Sequence, residues 1–417
     1  MKGIFVVLEG VADEPCQSLG HITPLQAAKT PNLDHLAKKS RIDYCYPVKE
    51  GAVPESSSAI VSLLGYDSNF APRGPLEASG AGIKIARGDL AVRTNFGTID
   101  GLSNKNLLDR RAGRTLTGKE TQILAKAINE KVKLPFKFEF YPTLHHRGVL
   151  VFRGGFSDNI TNIDQSYGRG VANLNSTGKV IFSKPMDDED DSKLAADLLN
   201  RFARESHEVL DKHPLNFNRA KKGMYSANFI LCRDAGNEPI QFKKLRGRWR
   251  ALVYAPLEIG IAQAAKMDVF KFSYPKMKGT DVYSNLYSGL RKAIKHAIKM
   301  IKKSKDKYDY FYVHFKETDV PGHDNRPLDK VKMIELIDKR FLSYLRRCVE
   351  KSGSKLVITA DHITSCRLKS HSSGPVPVLF YSPEDVEEQE QRFTEEQGMK
   401  GRKIMGRKLL EKTLFSK

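Results

Sequence analysis

The sequence predicts an α/β protein: a mostly parallel sheet flanked by helices, with a smaller α/β domain inserted into it. Three observations predict it. Four short apolar runs lack the alternation of a half-exposed strand, helical stretches separate them, and the centre of the chain differs in texture from both ends. Such runs, rich in β-branched and aromatic residues, are strands buried on both faces, as in parallel sheets covered by helices. A chain of 417 residues is also longer than a single core ordinarily serves.

The first run, Ile4 to Leu8, ends at Glu9. It is too short for the apolar stretch of a secretory signal, and no small-residue cleavage site follows it, so it reads as the first strand. Thr30-Pro31-Asn32-Leu33-Asp34 opens a helix with a cap and an early proline. Residues 74–237 contain the strand-like Gly148 to Phe152 and a helix from about Asp191 to Leu210. An acidic run, Asp187 to Asp191, complements the positive end of that helix. This region is read as the inserted domain, and residues 1–73 and 238–417 as the domain that carries it. Leu286 to Ser304 is helical. Leu290, Ile294, Ala297 and Ile301 share one face, and Lys292, Lys295, Lys299, Lys302 and Lys303 largely occupy the others, as on a solvated helix. The second run, Tyr310 to Val313, leads through His314 to Asp319, and a helix from Ile334 to Val349 follows. The third, Leu356 to Thr359, ends at Asp361-His362. The fourth, Val376 to Tyr381, follows His371. Glu384 to Gln397 is acidic and reads as an exposed loop or helix. Open α/β sheets place their sites beyond the carboxyl ends of strands, so polar residues at several such ends point to one site.

The net charge of +20 can attract nucleic acid, anionic membranes or a small anionic substrate. No nucleic-acid module signature is present, so specific nucleic-acid binding is not expected. No run approaches the roughly 20 apolar residues of a membrane helix. Cys16, Cys45, Cys232, Cys348 and Cys366 are odd in number and form no C-x-x-C pair. A disulfide or zinc framework is therefore not expected, and a cytoplasmic setting is. Oligomeric state is not legible.

Asp319 and His323 form a D-x-x-x-H pattern, Asp361 and His362 are adjacent, and His371 follows nine residues later. With Glu9 and Ser56 they make three carboxylates, three imidazoles and a hydroxyl. Each piece alone has an ordinary structural explanation. Together they suit two divalent ions of hard to borderline character, manganese first, with zinc, cobalt or magnesium as alternatives. Two such ions can clamp the attacking and leaving oxygens of a phosphoryl transfer, with the serine as nucleophile.

The segments Val53 to Ala59, Leu63 to Asp67, Arg73 to Ala78, Gly80 to Ile83 and Asp109 to Arg114 carry a resemblance. So do Thr23 to Leu25, Thr30 to Leu33, Gly322 to Asp324 and Thr359 to His362. Together they resemble the archaeal-type 2,3-bisphosphoglycerate-independent phosphoglycerate mutases over nearly the whole chain. The resemblance implies an alkaline-phosphatase-like core with an inserted lid, and a cycle through phosphorylated Ser56 that interconverts 3-phosphoglycerate and 2-phosphoglycerate. It implies one ion on Asp319, His323 and His371, and another on Glu9, Ser56, Asp361 and His362. Lys316 would neutralise charge on the transferring group, and Asp109 would assist proton movement at the glycerate hydroxyls. The lid would hold the anion through arginine, whose planar fork grips phosphate and carboxylate, with Arg110, Arg114, Arg147 and Arg233 as candidates. Four positions depart from the family pattern: Glu9 stands for Asp, Glu55 for Gly, Ser57 for an acidic residue and Asp234 for Gly. Glu55 is expected to crowd the serine loop or repel phosphate. The departures motivate two other readings: another phosphomutase or phosphatase of the superfamily, and a non-catalytic basic binding protein.

Overall fold

Both ends of the chain build one eight-stranded sheet in the computed structural model, which describes residues 1–164, 178–270, 272–275, 281–385 and 388–416. Its strands are β1 (Gly3–Leu8), β2 (Arg41–Tyr46), β8 (Trp249–Leu252), β9 (Asp268–Val269), β10 (Tyr310–Phe315), β11 (Lys355–Thr359), β14 (Val376–Tyr381) and β15 (Lys403–Met405), in the order β15-β2-β14-β11-β1-β10-β8-β9. Every residue of β1 and β10 is buried, as unalternating strands require. Pairing is parallel from β11 through β1, β10 and β8 to β9, and between β15 and β2.

The strand β14 is the exception to the expected direction, running antiparallel to both β11 and β2. A parallel return needs a long crossover, usually a helix. Here the connection is taken up by a hairpin of β12 (Ile363–Ser365) and β13 (Ser370–Ser372), so the chain comes back in the opposite sense.

Parallel register levels the strand ends. Leu8 pairs with Phe315 and Val7 with Thr359, which brings Glu9, Lys316 and Asp361 to the same edge. Helices α1 (Pro31–Lys38), α2 (Ser56–Leu63), α6 (Pro256–Ala264), α7 (Val282–Ser304), α8 (Pro327–Ile337) and α9 (Ser343–Ser352) accompany this sheet. The helix expected from Ile334 to Val349 starts earlier, at Pro327, and a π-helical turn, Asp338–Leu342, joins α8 to α9. That turn also corrects the cap of α1. Thr30 Oγ1 donates to Asp34 rather than capping the helix, and the carboxylate of Asp338 instead accepts from the Asn32 and Leu33 backbone.

A second, five-stranded sheet lies between β2 and β8 in the chain. It consists of β3 (Leu90–Ile99), β4 (Leu107–Asp109), β5 (Phe138–Pro142), β6 (Arg147–Phe152) and β7 (Phe229–Gly236), all antiparallel. Alternation divides its faces. Leu90, Val92, Phe96, Leu150 and Phe152 pack with α4 (Gly118–Lys131) and α5 (Asp190–Asp211). Ala91, Val149 and Val151 pack against α3 (Arg73–Ala81) through Ala78. The expected helix from Asp191 to Leu210 is α5. The acidic segment 384–397 lies outside the described residues at 386 and 387, and its end begins a short helix, Glu395–Met399.

The two sheets meet where α3 crosses α6. A Cβ added to Gly80 would fall 1.8 Å from Pro256 O, and one added to Gly260 would fall 1.9 Å from Leu76 O. Only glycines allow these two helix backbones to touch. No helix among the described residues is long and apolar enough to cross a membrane.

Candidate active site

The first turn of α2 aims at the carboxyl edge of the large sheet. Ser56 is its first residue, so free backbone N–H groups and the positive end of the helix surround the hydroxyl. Ser56 Oγ lies 3.2 Å from His362 Nε2 and 3.5 Å from Glu9 Oε1. All three residues are buried.

Three imidazoles converge beside it, and their outer partners define their protonation. His371 Nδ1 lies 2.8 Å from Pro54 O, and His323 Nδ1 lies 3.0 Å from Lys369 O. A carbonyl only accepts, so each Nδ1 carries the proton. Thr364 Oγ1 donates to Asp319 Oδ1 at 2.7 Å and therefore accepts from His362 Nδ1 at 3.0 Å. All three Nε2 atoms consequently point inward. At His362 the effect of burial is outweighed by the adjacent Asp361 carboxylate, which raises the pKa, so a proton or a cation belongs between the two. The Nε2 atoms face carboxylate oxygens: Asp319 Oδ1 at 3.5 Å from His323 and 3.7 Å from His371, and Asp361 Oδ2 at 3.1 Å from His362. Asp361 Oδ2 is buried without a hydrogen-bond donor. Lone pairs opposed at these distances repel unless cations lie between them, and hydrogen-bonded Nδ1 atoms are the usual support of metal-binding histidines. Asp319, His323 and His371 offer ligand atoms within 4.8 Å of one another, as do Glu9, Asp319 and His362. Burial also pushes the His323 pKa well below its ordinary value, which keeps its lone pair free. The residues fit divalent cations.

Glu9 has company that the sequence did not disclose. Its Oε2 accepts from His314 Nε2 at 2.8 Å and from the Lys316 ammonium. Burial opposes its charge, yet Lys316 and His314 hold the carboxyl well below the usual carboxylate range. Lys316 also donates to buried Glu258, at 2.7 Å. Its charge is already balanced by two carboxylates, so its link to Ser56 runs through Glu9.

The small sheet supplies the other wall. Arg93 pairs in register with Arg233, and Asn95 with Arg147. Arg110, Arg111, Arg147 and Arg233 line a cavity of about 50 Å³ with Ser56. Arg73, Arg93, Asn95 and His146 line it too, and neither these four nor Arg111 was nominated from the sequence. Arg93 carried a signal, being a charge within a strand of apolar neighbours. Burial, with Arg233 and Arg73 nearby, drives its pKa well below the guanidinium norm. Buried Glu77, 2.5 Å from Arg73 and 3.4 Å from Arg93, offsets part of this crowding of cations, and a bound anion would offset more.

A neighbouring cavity of about 120 Å³ shares Glu9, Arg147, Asp319 and His323 and adds Arg114. Arg114 is paired with Asp324 at 2.7 Å, and Arg110 with Asp164 at 2.5 Å. Asp109 lines neither cavity. Its carboxylate accepts from the Arg111 and Gly113 backbone, so the structure does not bring it to Ser56.

Glu55 turns away from the role expected of it. Its Oε1 accepts from Arg233 at 2.7 Å, and Oε2 lies 3.6 Å from Arg73. The side chain tempers the arginines instead of crowding the serine. Asp234, the other acid of this cluster, is pushed up to about 7 by burial and by Glu55. A carboxyl raised in this way stabilises the fold fully below the ordinary carboxylate pKa of about 4, and that stability is lost as pH rises toward 7. Asp234→Asn is therefore expected to raise the melting temperature at pH 8 and to leave it nearly unchanged at pH 4. Asn also tolerates the left-handed backbone there, φ 52°. Equal shifts at both pH values would count against the buried, protonated carboxyl.

Comparison with known proteins adds lineage to this geometry. A family model described as 2,3-bisphosphoglycerate-independent phosphoglycerate mutase matches residues 37–216. A protein of that name from Thermococcus kodakarensis is 37% identical over 406 residues, covering 96% of this chain and 93% of its own. One from Aeropyrum pernix is 35% identical, with 99% of each chain covered. Among solved structures, a protein from Pyrococcus horikoshii superposes with a TM-score of 0.73 at 28% identity, covering 99% of this chain and 96% of its own. A cofactor-independent phosphoglycerate mutase from Thermoplasma acidophilum gives 0.55 at 27%, covering 100% and 99%.

Proposed function

On the premise that the chain belongs to the 2,3-bisphosphoglycerate-independent phosphoglycerate mutase family, we propose that it interconverts 3-phosphoglycerate and 2-phosphoglycerate through phosphorylated Ser56. The observation that carries this reading is the serine itself. It is buried at a helix start, with its hydroxyl facing Glu9 and His362, under a wall of arginines.

In the forward direction Ser56 Oγ attacks the phosphorus, and the bond from phosphorus to the C3 oxygen breaks. The serine proton faces Glu9 Oε1 as its acceptor. The released C3 oxygen takes up a proton, and glycerate turns within the cavity. Its C2 hydroxyl then attacks the phosphorus, the bond from phosphorus to Ser56 Oγ breaks, and the proton leaving the C2 hydroxyl is taken up by way of Glu9 at Ser56 Oγ. Glycerate must stay bound through this turn, and the arginines from the small sheet hold its carboxylate while water is excluded. Residues 74–237 are accordingly proposed as the lid.

Asp319, His323 and His371 would hold one divalent ion, and Glu9, Ser56, Asp361 and His362 a second, supplying charge that favours the serine alkoxide and offsets the phosphoryl oxygens. Manganese is the first assignment, because the donor set mixes imidazole nitrogen with carboxylate oxygen. The cytoplasm is the compartment we assign.

Incubation with 3-phosphoglycerate is expected to yield 2-phosphoglycerate, without free phosphate. Chelation should abolish turnover, and manganese should restore it. Free phosphate as the main product would replace this reading with a phosphatase.

A further inference from the structure

The positive charge is not spread evenly. Residues 239–308 hold seventeen lysines and arginines against four acids, so a sixth of the chain carries thirteen of the twenty net charges. The densest part is α7, which contains no acidic residue. Lys292, Lys295, Lys299 and Lys302 follow spacings of three and four, which stacks them in one ridge about 15 Å long. All four are exposed. Like charges at these spacings destabilise a helix, and a face serving only solubility would interleave acids.

An aromatic cluster packs on His296, which lies in sequence between Lys295 and Lys299 of the same helix. Arg250 lies 4.9 Å from the ring centroids of both Phe270 and Tyr308. Phe270 also packs on His296 of α7 at 5.2 Å, yet it is 39% exposed. The N-terminal end of α7 reaches the catalytic cavities through Val282 and Leu286, so the ridge lies toward the opposite end of the helix.

We propose that this face binds single-stranded nucleic acid without sequence preference, the lysines following phosphates and Phe270 stacking on a base. Cationic tracks with exposed aromatics are the recurrent means of holding single strands. A lipid surface fits less well. The apolar face of α7, with Leu290, Ile294 and Met300, is buried in the main core and offers nothing to insert. An acidic protein would find the lysines but has no use for a stacking ring.

The test is fluorescence anisotropy of a fluorescein-labelled 20-mer of uridylate with the full-length protein. Binding at 50 mM salt is expected, weakening at least tenfold by 200 mM as counterions are released. The combined substitution Lys292→Glu, Lys295→Glu, Lys299→Glu should weaken it at least tenfold, and Phe270→Ala severalfold. Mutase turnover in these variants should be unchanged, which reports an intact fold. No binding at 50 mM salt, or undiminished binding by the triple variant, would overturn the proposal. So would equal binding to polyglutamate or phosphatidylserine vesicles with no effect of Phe270→Ala, which would reassign the face to acidic proteins or to lipid.

Discussion

Replacing Ser56 with alanine is expected to lower mutase turnover by at least ~10³-fold while leaving the fold intact, since no other hydroxyl stands in its place. Ser57 and Ser58 follow it in α2, but Ser58 Oγ donates to Glu55 O at 3.0 Å, and neither lines the cavity beneath the arginines. The hydroxyl is not a structural tie. Its two neighbours, Glu9 and His362, keep other partners, at His314 and Thr364 respectively. Thermal melting of the variant should therefore match the parent within a few degrees. Turnover within tenfold of the parent, measured with saturating manganese, would remove Ser56 from the chemistry.

The largest expected loss of stability is at Lys330, far from any reacting atom. Its side chain is fully buried. The ammonium donates to Asp13 Oδ2 at 2.7 Å, Thr364 O at 2.8 Å and Ala12 O at 3.2 Å. These three acceptors belong to the loop after β1, which carries Glu9, and to β12, which lies between His362 and His371. One lysine thus ties together the segments that present the candidate ligands. Lys330→Met would leave Asp13 charged and buried without its counter-ion, a change that costs about 3–5 kcal/mol. The urea midpoint should fall accordingly, with turnover falling alongside it as the ligand loops loosen. An unchanged midpoint would mean that Asp13 finds other support.

What was legible from sequence follows from how far apart the cooperating residues lie in structural terms. The large sheet was legible because parallel register levels strand ends, so polar residues just past Leu8, Phe315 and Thr359 had to share an edge. The direction of β14 was not legible, because it depends on a hairpin that no apolar run announces. The arginine wall was half legible. Arg110, Arg147 and Arg233 were nominated from chemistry, whereas Arg93 and Asn95 come to the cavity only through the antiparallel register of β3 with β6 and β7. Asp109 and Arg114 share one segment, but only Arg114 reaches a cavity with Glu9, while the turn made by Ala112, Gly113 and Arg114, all at positive φ, folds the backbone of Arg111 and Gly113 onto the Asp109 carboxylate. Lys330 was not singled out, since its three acceptors come from elsewhere in the chain. Glu55, expected to disturb the serine loop, belongs with Asp234 to a charge cluster with Arg73 and Arg233 that a linear pattern does not reveal.

The central claim is that Ser56 carries the phosphoryl group between the two positions of glycerate. Rapid acid quench during turnover of 3-phosphoglycerate, followed by peptide mass mapping, tests it most directly. The account predicts a single phosphorylated residue, Ser56, appearing at a rate no slower than turnover and disappearing when substrate is exhausted. Full turnover with no phosphopeptide at any time, or with phosphate on Ser57 or Ser58 instead, would contradict it.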